Sequence, residues 1–174
     1  IGMVVGTKQG LPLVYVTVGT TQFDSLINAL LTQEVLKLIF NQGYRRMRMQ
    51  IGRGTEPTLP TDAPLAIEYY RFKDSLAADM QEASLLISHA GAGSIMEGLR
   101  CKANVLVVVN DKLMHNHQQE LAHELARRDH LVAATPDALL HALMEVRDKH
   151  GSMTPFPESD PEAFPRFLAS SLGL

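Results

Sequence analysis

Leu11 to Val18, LPLVYVTV, is a nearly unbroken apolar and β-branched run that stops at Gly19. A strand with one wet face alternates polar and apolar side chains. A run without alternation belongs to a strand covered on both faces, as in a parallel sheet. After GTTQ, Phe23, Leu26, Ile27, Leu30 and Leu31 recur at helical spacing, and Thr20, Thr21 and Asp24 offer oxygens for that helix's first turn. A second helix is predicted through Glu34 to Phe40, then a short strand at RMRMQIG, then a surface loop marked by the glycines and prolines of GRGTEPTLPTDAP. Beyond the loop the rhythm repeats: strand AIEYYRF, helix SLAADMQEA, strand SLLISHA, helix SIMEGLRCK, strand NVLVVV, helix HNHQQELAHELARR. Alternation of this kind implies right-handed crossovers and a parallel sheet, so the fold class is α/β.

A chain of 174 residues buries one sizeable core, so one main domain is expected over residues 11–150, after an extension, 1–10, that carries no functional weight. Past Thr135 one more amphipathic helix, PDALLHALMEVRDKH, precedes GSMTPFPESDPEAFP, whose four prolines mark a linker or docking arm within residues 151–174. The closing PRFLASSLGL is too short to fold alone. Phe164, Phe167, Leu168 and Leu172 must therefore pack on this domain or on a partner. With 16 basic against 19 acidic side chains, nothing favours a nucleic-acid partner. The single Cys101 leaves no internal disulfide and fits a reducing compartment. No apolar run approaches the roughly 18 residues that span a bilayer, and the first residues lack the pattern of a signal peptide. A soluble, cytoplasmic chain is expected, with a membrane partner left open.

In open parallel sheets, ligands bind at the carboxyl ends of strands, where glycine turns expose backbone N–H groups and helix N-termini favour anions. Two turns qualify: Gly19-Thr20-Thr21, and Gly91-Ala92-Gly93-Ser94 after the strand LLIS. Each is also readable as a tight turn with a capping hydroxyl; two in one small chain shift the balance towards phosphate binding. GAGSIM holds two glycines of the dinucleotide pattern G-x-G-x-x-G, but Met96 replaces the third and the motif comes late in the chain, which argues against a nicotinamide site. Glu97, three residues after Ser94, is expected on the first helical turn, as the carboxylate of a capping box or as an acceptor for ligand hydroxyls. Asn116, His117 and Gln118 follow another apolar strand and carry groups suited to sugar hydroxyls. The histidines do not have metal spacing, since H-x-H at 115 and 117 cannot share a helix face and Arg127 stands where a zinc helix needs its second His. No metal or cofactor is expected, and His123, His130, His141 and His150 read as plain surface helix.

VYVTVGTTQFDSL, QIGRGT, YRFKDSL, ISHAGAGSIMEGL and NHQQELAHEL, in this order, resemble the small cytosolic subunits of the eukaryotic UDP-GlcNAc transferases that make dolichyl-diphosphate chitobiose. The resemblance covers about residues 12–147 and continues weakly into the tail. Those subunits in turn resemble the C-terminal half of the bacterial enzyme that adds GlcNAc to lipid II, a two-domain GT-B glycosyltransferase. The resemblance implies a Rossmann-like sheet flanked by helices. It further implies that Gly19, Thr20 and Thr21 face the diphosphate of UDP-GlcNAc, that the backbone about Phe72 and Lys73 meets the uracil, and that His89, Gly91, Ala92, Gly93 and Ser94 form the second diphosphate turn. Glu97 would accept from the ribose, and Asn116, His117 and Gln118 would address the GlcNAc hydroxyls. Arg53 and Gly54 match the family's GRGT without a role, beyond a surface ion pair for Arg53.

An inverting transfer needs a base and a stabilised leaving UDP. The helix N-termini and glycine turns offer the second without a D-x-D metal pair. The base comes from the acceptor half in the two-domain relatives, and His117 is the local candidate. The implied partners are a membrane-anchored acceptor-binding subunit, met through Phe164, Phe167, Leu168 and Leu172, and through it dolichyl-diphosphate-GlcNAc at the cytosolic face of the endoplasmic reticulum. A split polysaccharide glycosyltransferase with another UDP-sugar, and a non-catalytic nucleotide-sugar module, are the alternatives.

Overall fold

The computed structural model describes residues 11–101, 103–110 and 116–157, the side chains of 116–118 excepted. Six strands form one sheet: β1 (Leu13–Thr17), β2 (Arg46–Gln50), β3 (Ala66–Tyr70), β4 (Leu85–His89), β5 (Asn104–Val108) and β6 (Val132–Ala134). Every pairing is parallel, in the spatial order β3-β2-β1-β4-β5-β6. β1 is buried at all five residues and lies mid-sheet, which is why its sequence shows no alternation. β3 takes the edge, and its AIEYY has no fully buried residue.

Helices cover both faces. α1 (Asp24–Leu30), α2 (Gln33–Asn41) and α6 (Leu139–Asp148) bury Leu26, Ile27, Leu30, Leu36, Ile39, Leu143 and Val146 against Val14, Val16, Met47, Met49 and Ile87. α3 (Ala77–Glu82), α4 (Ala92–Arg100) and α5 (Asn116–Arg127) lie over Tyr15, Leu86, Val105 and Val107, to which they bring Met80, Ile95, Leu99, Ala122 and Leu125. Alternate strand residues thus serve opposite layers, and each fully buried leucine or isoleucine contributes roughly 1.5–3 kcal/mol of transfer free energy.

The sequence pattern does not predict β6. Its three residues are too few for a periodicity, and a place beside β5 defines it. Three local expectations also change. Thr20, Thr21 and Asp24 do not cap α1, whose N-cap is Phe23 with no side-chain bond; the Thr21 hydroxyl donates to Val18 O instead. α4 begins two residues before Ser94, with Gly91 as N-cap, so there is no capping box and Glu97 lies on the second turn. His130 and His150 sit just past α5 and α6 rather than on them. His130 Nδ1 lies 2.9 Å from Thr154 O with Phe156 edge-on to its ring, and His150 Nδ1 lies 2.7 Å from Asn104 Nδ2. Residues 154 to 156 are thereby held against the domain. Phe164, Phe167, Leu168 and Leu172 lie outside the described residues.

Candidate functional site

The sheet order changes direction between β1 and β4. The chain leaves β1 towards α1 on one face and leaves β4 towards α4 on the other, which opens a crevice at the strands' carboxyl ends. Both glycine turns stand at this switch point.

Gly19 has φ +62°, a conformation that glycine adopts without steric cost. Its N–H is occupied, donating to Thr17 Oγ1 at 3.2 Å, and the Thr21 hydroxyl donates to Val18 O at 2.8 Å. That leaves the exposed Thr20, whose N–H and hydroxyl have no hydrogen bond among the described residues, as the turn's free donor. Across the crevice, Ala92, Gly93 and Ser94 form the first turn of α4, and the first intrahelical bond is from Ile95 N to Gly91 O, 3.0 Å. Three backbone N–H groups therefore point out of a nine-residue helix at its positive end, a placement suited to an anion.

His89 joins the two turns. Its Nδ1 lies 3.3 Å from Thr17 O, and since a carbonyl only accepts, Nδ1 carries the proton and Nε2 is left as an acceptor. The ring lies between the glycines: a Cβ on Gly91 would overlap Nε2, and one on Gly19 would come within 2.7 Å of Cε1. Glycine is thus required twice by one imidazole. Burial pushes the His89 pKa down against the pull of Thr17 O, so the ring is neutral near pH 7. Glu97, half-buried one turn further along α4, makes no hydrogen bond or ion pair among the described residues and remains able to accept from a ligand.

The third wall follows β3. Phe72 is 54% exposed, while Lys73 Nζ lies 2.7 Å from Asp79 Oδ2 and 4.2 Å from the Tyr70 ring centroid. Asp79, 4% exposed, also accepts from Tyr70 Oη and from Arg48 Nη1 at 2.8 Å. Burial opposes its charge, but the bonds from Lys73 and Tyr70 and the Arg48 charge outweigh it and hold the carboxyl below its usual range. Tyr15 Oη lies 2.9 Å from Tyr70 Oη, and burial pushes the Tyr15 pKa up to about 12. The segment that carries Phe72 is therefore anchored by an ionic cluster beneath it.

Several residues here carry no signal in the sequence. Gln50, buried at the end of β2, ties the ends of β1 and β3 together: Oε1 accepts from Thr17 Oγ1 at 2.7 Å, and Nε2 donates to Gly19 O and Arg71 O, each at 2.7 Å. The GRGT loop also acquires a place. Arg53 N donates to Thr21 O at 3.0 Å, Asp24 accepts from Thr55 N and Oγ1, and Arg71 Nη1 donates to Gly54 O at 2.7 Å, so the loop is clamped onto the first turn. The exposed Arg53 side chain has no ion pair among the described residues, contrary to the expected surface pair. Asn116, His117 and Gln118 open α5, the helix that follows β5, with their side chains outside the description.

A concavity of about 940 Å³ lies elsewhere, lined by Ser84, Arg100, Asn104, His130, His150 and Phe156 among others. Ser84 precedes β4 and Asn104 opens β5, so this groove is at the strands' amino ends and includes neither glycine turn. Topology and the free N–H groups, not volume, mark the candidate site.

Residues 13–166 match the glycosyltransferase family 28 C-terminal domain. The chain belongs to that family. The human UDP-N-acetylglucosamine transferase subunit ALG13 is 48% identical over 123 residues, 70% of this chain. The chain spans only 11% of that protein's length. Among solved structures, ALG13 determined by NMR superposes with a TM-score of 0.62 at 23% identity, covering 94% of this chain and 98% of that one. Acinetobacter baumannii MurG superposes with a TM-score of 0.58 at 19% identity, covering 97% of this chain and 51% of MurG. The family 28 domain thus has the fold of one half of a GT-B enzyme, as the sequence resemblance implies. Among its described residues no helix is long and apolar enough to cross a membrane.

Proposed function

We propose that this family 28 domain is the donor-binding half of an N-acetylglucosaminyltransferase, holding UDP-GlcNAc across the β1/β4 switch point. The observation that carries the reading is the convergence on one crevice of the open α4 N-terminus, the Thr20 donor and the Glu97 carboxylate, none of which has a partner among the described residues. The diphosphate sits between Thr20 and the N–H groups of Ala92, Gly93 and Ser94, beside His89. Glu97 accepts from the ribose hydroxyls at a distance that spares it the phosphate charge. Uracil lies against the backbone about Phe72 and Lys73, and Asn116, His117 and Gln118 take the GlcNAc hydroxyls.

As the glycosidic bond breaks, negative charge grows on the departing UDP, and the α4 N-terminus stabilises it where it develops. Inversion at the sugar requires a base on the acceptor side, which this half does not supply unless His117 does so. The acceptor, dolichyl-diphosphate-GlcNAc, is brought by a membrane-anchored subunit at the cytosolic face of the endoplasmic reticulum, docked through Phe164, Phe167, Leu168 and Leu172. The name subunit borne by the relatives supports a partnered enzyme.

Reconstitution with the cognate membrane subunit and a GlcNAc-diphosphate-lipid acceptor tests this. Transfer from UDP-GlcNAc is expected in the complex and not in the isolated chain, with Glu97→Ala abolishing it while the circular dichroism spectrum is retained. Turnover by the isolated chain, or full activity of Glu97→Ala, refutes the assignment.

A further inference from the structure

We infer that Gln50 is a positioning residue that sets the span between the base-binding and diphosphate-binding walls of the crevice. The inference rests on the donor-site reading above and concerns a residue that touches no ligand.

Gln50 is 2% exposed at the last position of β2, with every polar atom of its side chain engaged. One amide nitrogen donates to two carbonyls that belong to different walls. Gly19 O is in the first glycine turn, and Arg71 O opens the segment leading to Phe72 and Lys73. A planar NH2 group has its two hydrogens at a fixed angle, so both carbonyls are held relative to one atom. On the other side of the amide, the Thr17 hydroxyl donates to Oε1, which fixes which end of the amide faces the carbonyls. Thr17 Oγ1 also accepts from Gly19 N, so the same two side chains hold both the N–H and the C=O of Gly19.

The backbone ladder cannot do this alone. Beyond the strand ends it supplies Val18 N to Gln50 O at 3.2 Å and Ile51 N to Tyr70 O at 2.9 Å, but neither bond reaches Gly19 or Arg71. Past those points the GRGT loop links the walls only indirectly, through Arg53 N to Thr21 O and the Arg71 side chain to Gly52 O and Gly54 O, whereas Gln50 joins the Gly19 and Arg71 carbonyls through one atom. A ligand that engages both walls gains affinity because the second contact is made at high effective concentration, and that gain is sensitive to spacing. A ligand on one wall is indifferent to it.

The test is a set of titrations of the full chain with UDP, uridine and inorganic pyrophosphate, followed by amide chemical shifts, for the wild type and Gln50→Met. Methionine keeps the volume and removes both donors. UDP is expected to weaken at least tenfold, with uridine and pyrophosphate each changing less than twofold. In the reconstituted complex the KM for UDP-GlcNAc rises while kcat stays within about twofold. Parallel losses for all three ligands would overturn the inference, because Gln50 would then merely support the local fold; unchanged UDP affinity would overturn it equally. Should Gln50→Met not fold, Gln50→Leu, which also lacks both donors and leaves the Gly19 N–H bond to Thr17 Oγ1 in place, carries the same comparison with the same expected pattern. A wild-type chain that does not bind UDP would refute the donor-site reading itself, whereas wild-type binding with parallel losses refutes only the role of Gln50.

Discussion

Gly93→Ala separates what the fold asks of α4 from what a ligand asks of it. Gly93 lies in the helix's first turn, and a Cβ built there meets nothing within 4 Å. Folding alone therefore favours alanine, by about 0.5–1 kcal/mol from helix propensity and reduced unfolded-state entropy. For a domain of this size that is a rise in Tm of roughly 1–4 °C. On the donor-site proposal, however, the open space beside Gly93 is the diphosphate's approach to the N–H groups of the first turn of α4. A methyl there keeps the diphosphate off the helix end, at a cost of roughly one charge-assisted hydrogen bond, about 1.5–3 kcal/mol, or tenfold to a hundredfold in affinity. Differential scanning calorimetry and UDP titration of the same preparation give both numbers. Higher Tm with lower affinity is expected. Higher Tm with unchanged affinity refutes the placement of the phosphates, and lower Tm refutes the claim that only a ligand needs glycine here.

Gly52 has φ +55°, and its Cβ would overlap Thr21 O and come 2.7 Å from Gly19 O; Gly52→Ala should lose about 2–5 kcal/mol by urea denaturation, from left-handed strain plus a forced backbone shift. Gly43→Ala, at φ +99° in open space, should lose only the strain, roughly 1–2 kcal/mol. Asp79→Asn weakens the charged hydrogen bonds from Arg48 and Lys73, but Arg48 keeps Glu68 and Glu82 and Lys73 is 42% exposed, so a loss of about 1.5–3 kcal/mol is expected by the same method. His89 has a folded pKa below its ordinary 6.5, so the unfolded chain takes up the proton first as pH falls. Its contribution to stability is complete above about pH 6.5 and is lost on acidification towards the folded value. The urea midpoint should fall as the pH is lowered below about 6.5, and fall less steeply in His89→Asn; an equal slope in the variant would exclude His89 as the cause.

Much of this was legible from local pattern. β1, β4 and β5 announced themselves as apolar runs because the strands are covered on both faces, and the glycine turns followed from where those runs stop. In sequence the first residues of α4 read as turn, because Ala92 and Gly93 carry no side-chain signal for a helix start, which begins there on an uncapped Gly91. What stayed hidden is non-local. Gln50 acts through Thr17 and Arg71, and Asp79 through Arg48 and Tyr70, pairings that exist only once β1, β2 and β3 lie side by side. Likewise, Gly19 and Gly91 reveal a shared reason, the His89 ring between them, only in three dimensions.

The crevice between the β1 and β4 turns is the proposed donor site. Titrating the isotope-labelled full chain with UDP-GlcNAc and mapping amide shifts tests it most directly. The largest shifts are expected on Gly19 to Thr21, Arg71 to Lys73, His89 to Glu97 and Asn116 to Gln118. Shifts concentrated instead on Ser84, Asn104, His130 and His150, around the groove at the opposite edge of the sheet, would contradict it, as would no shift at all.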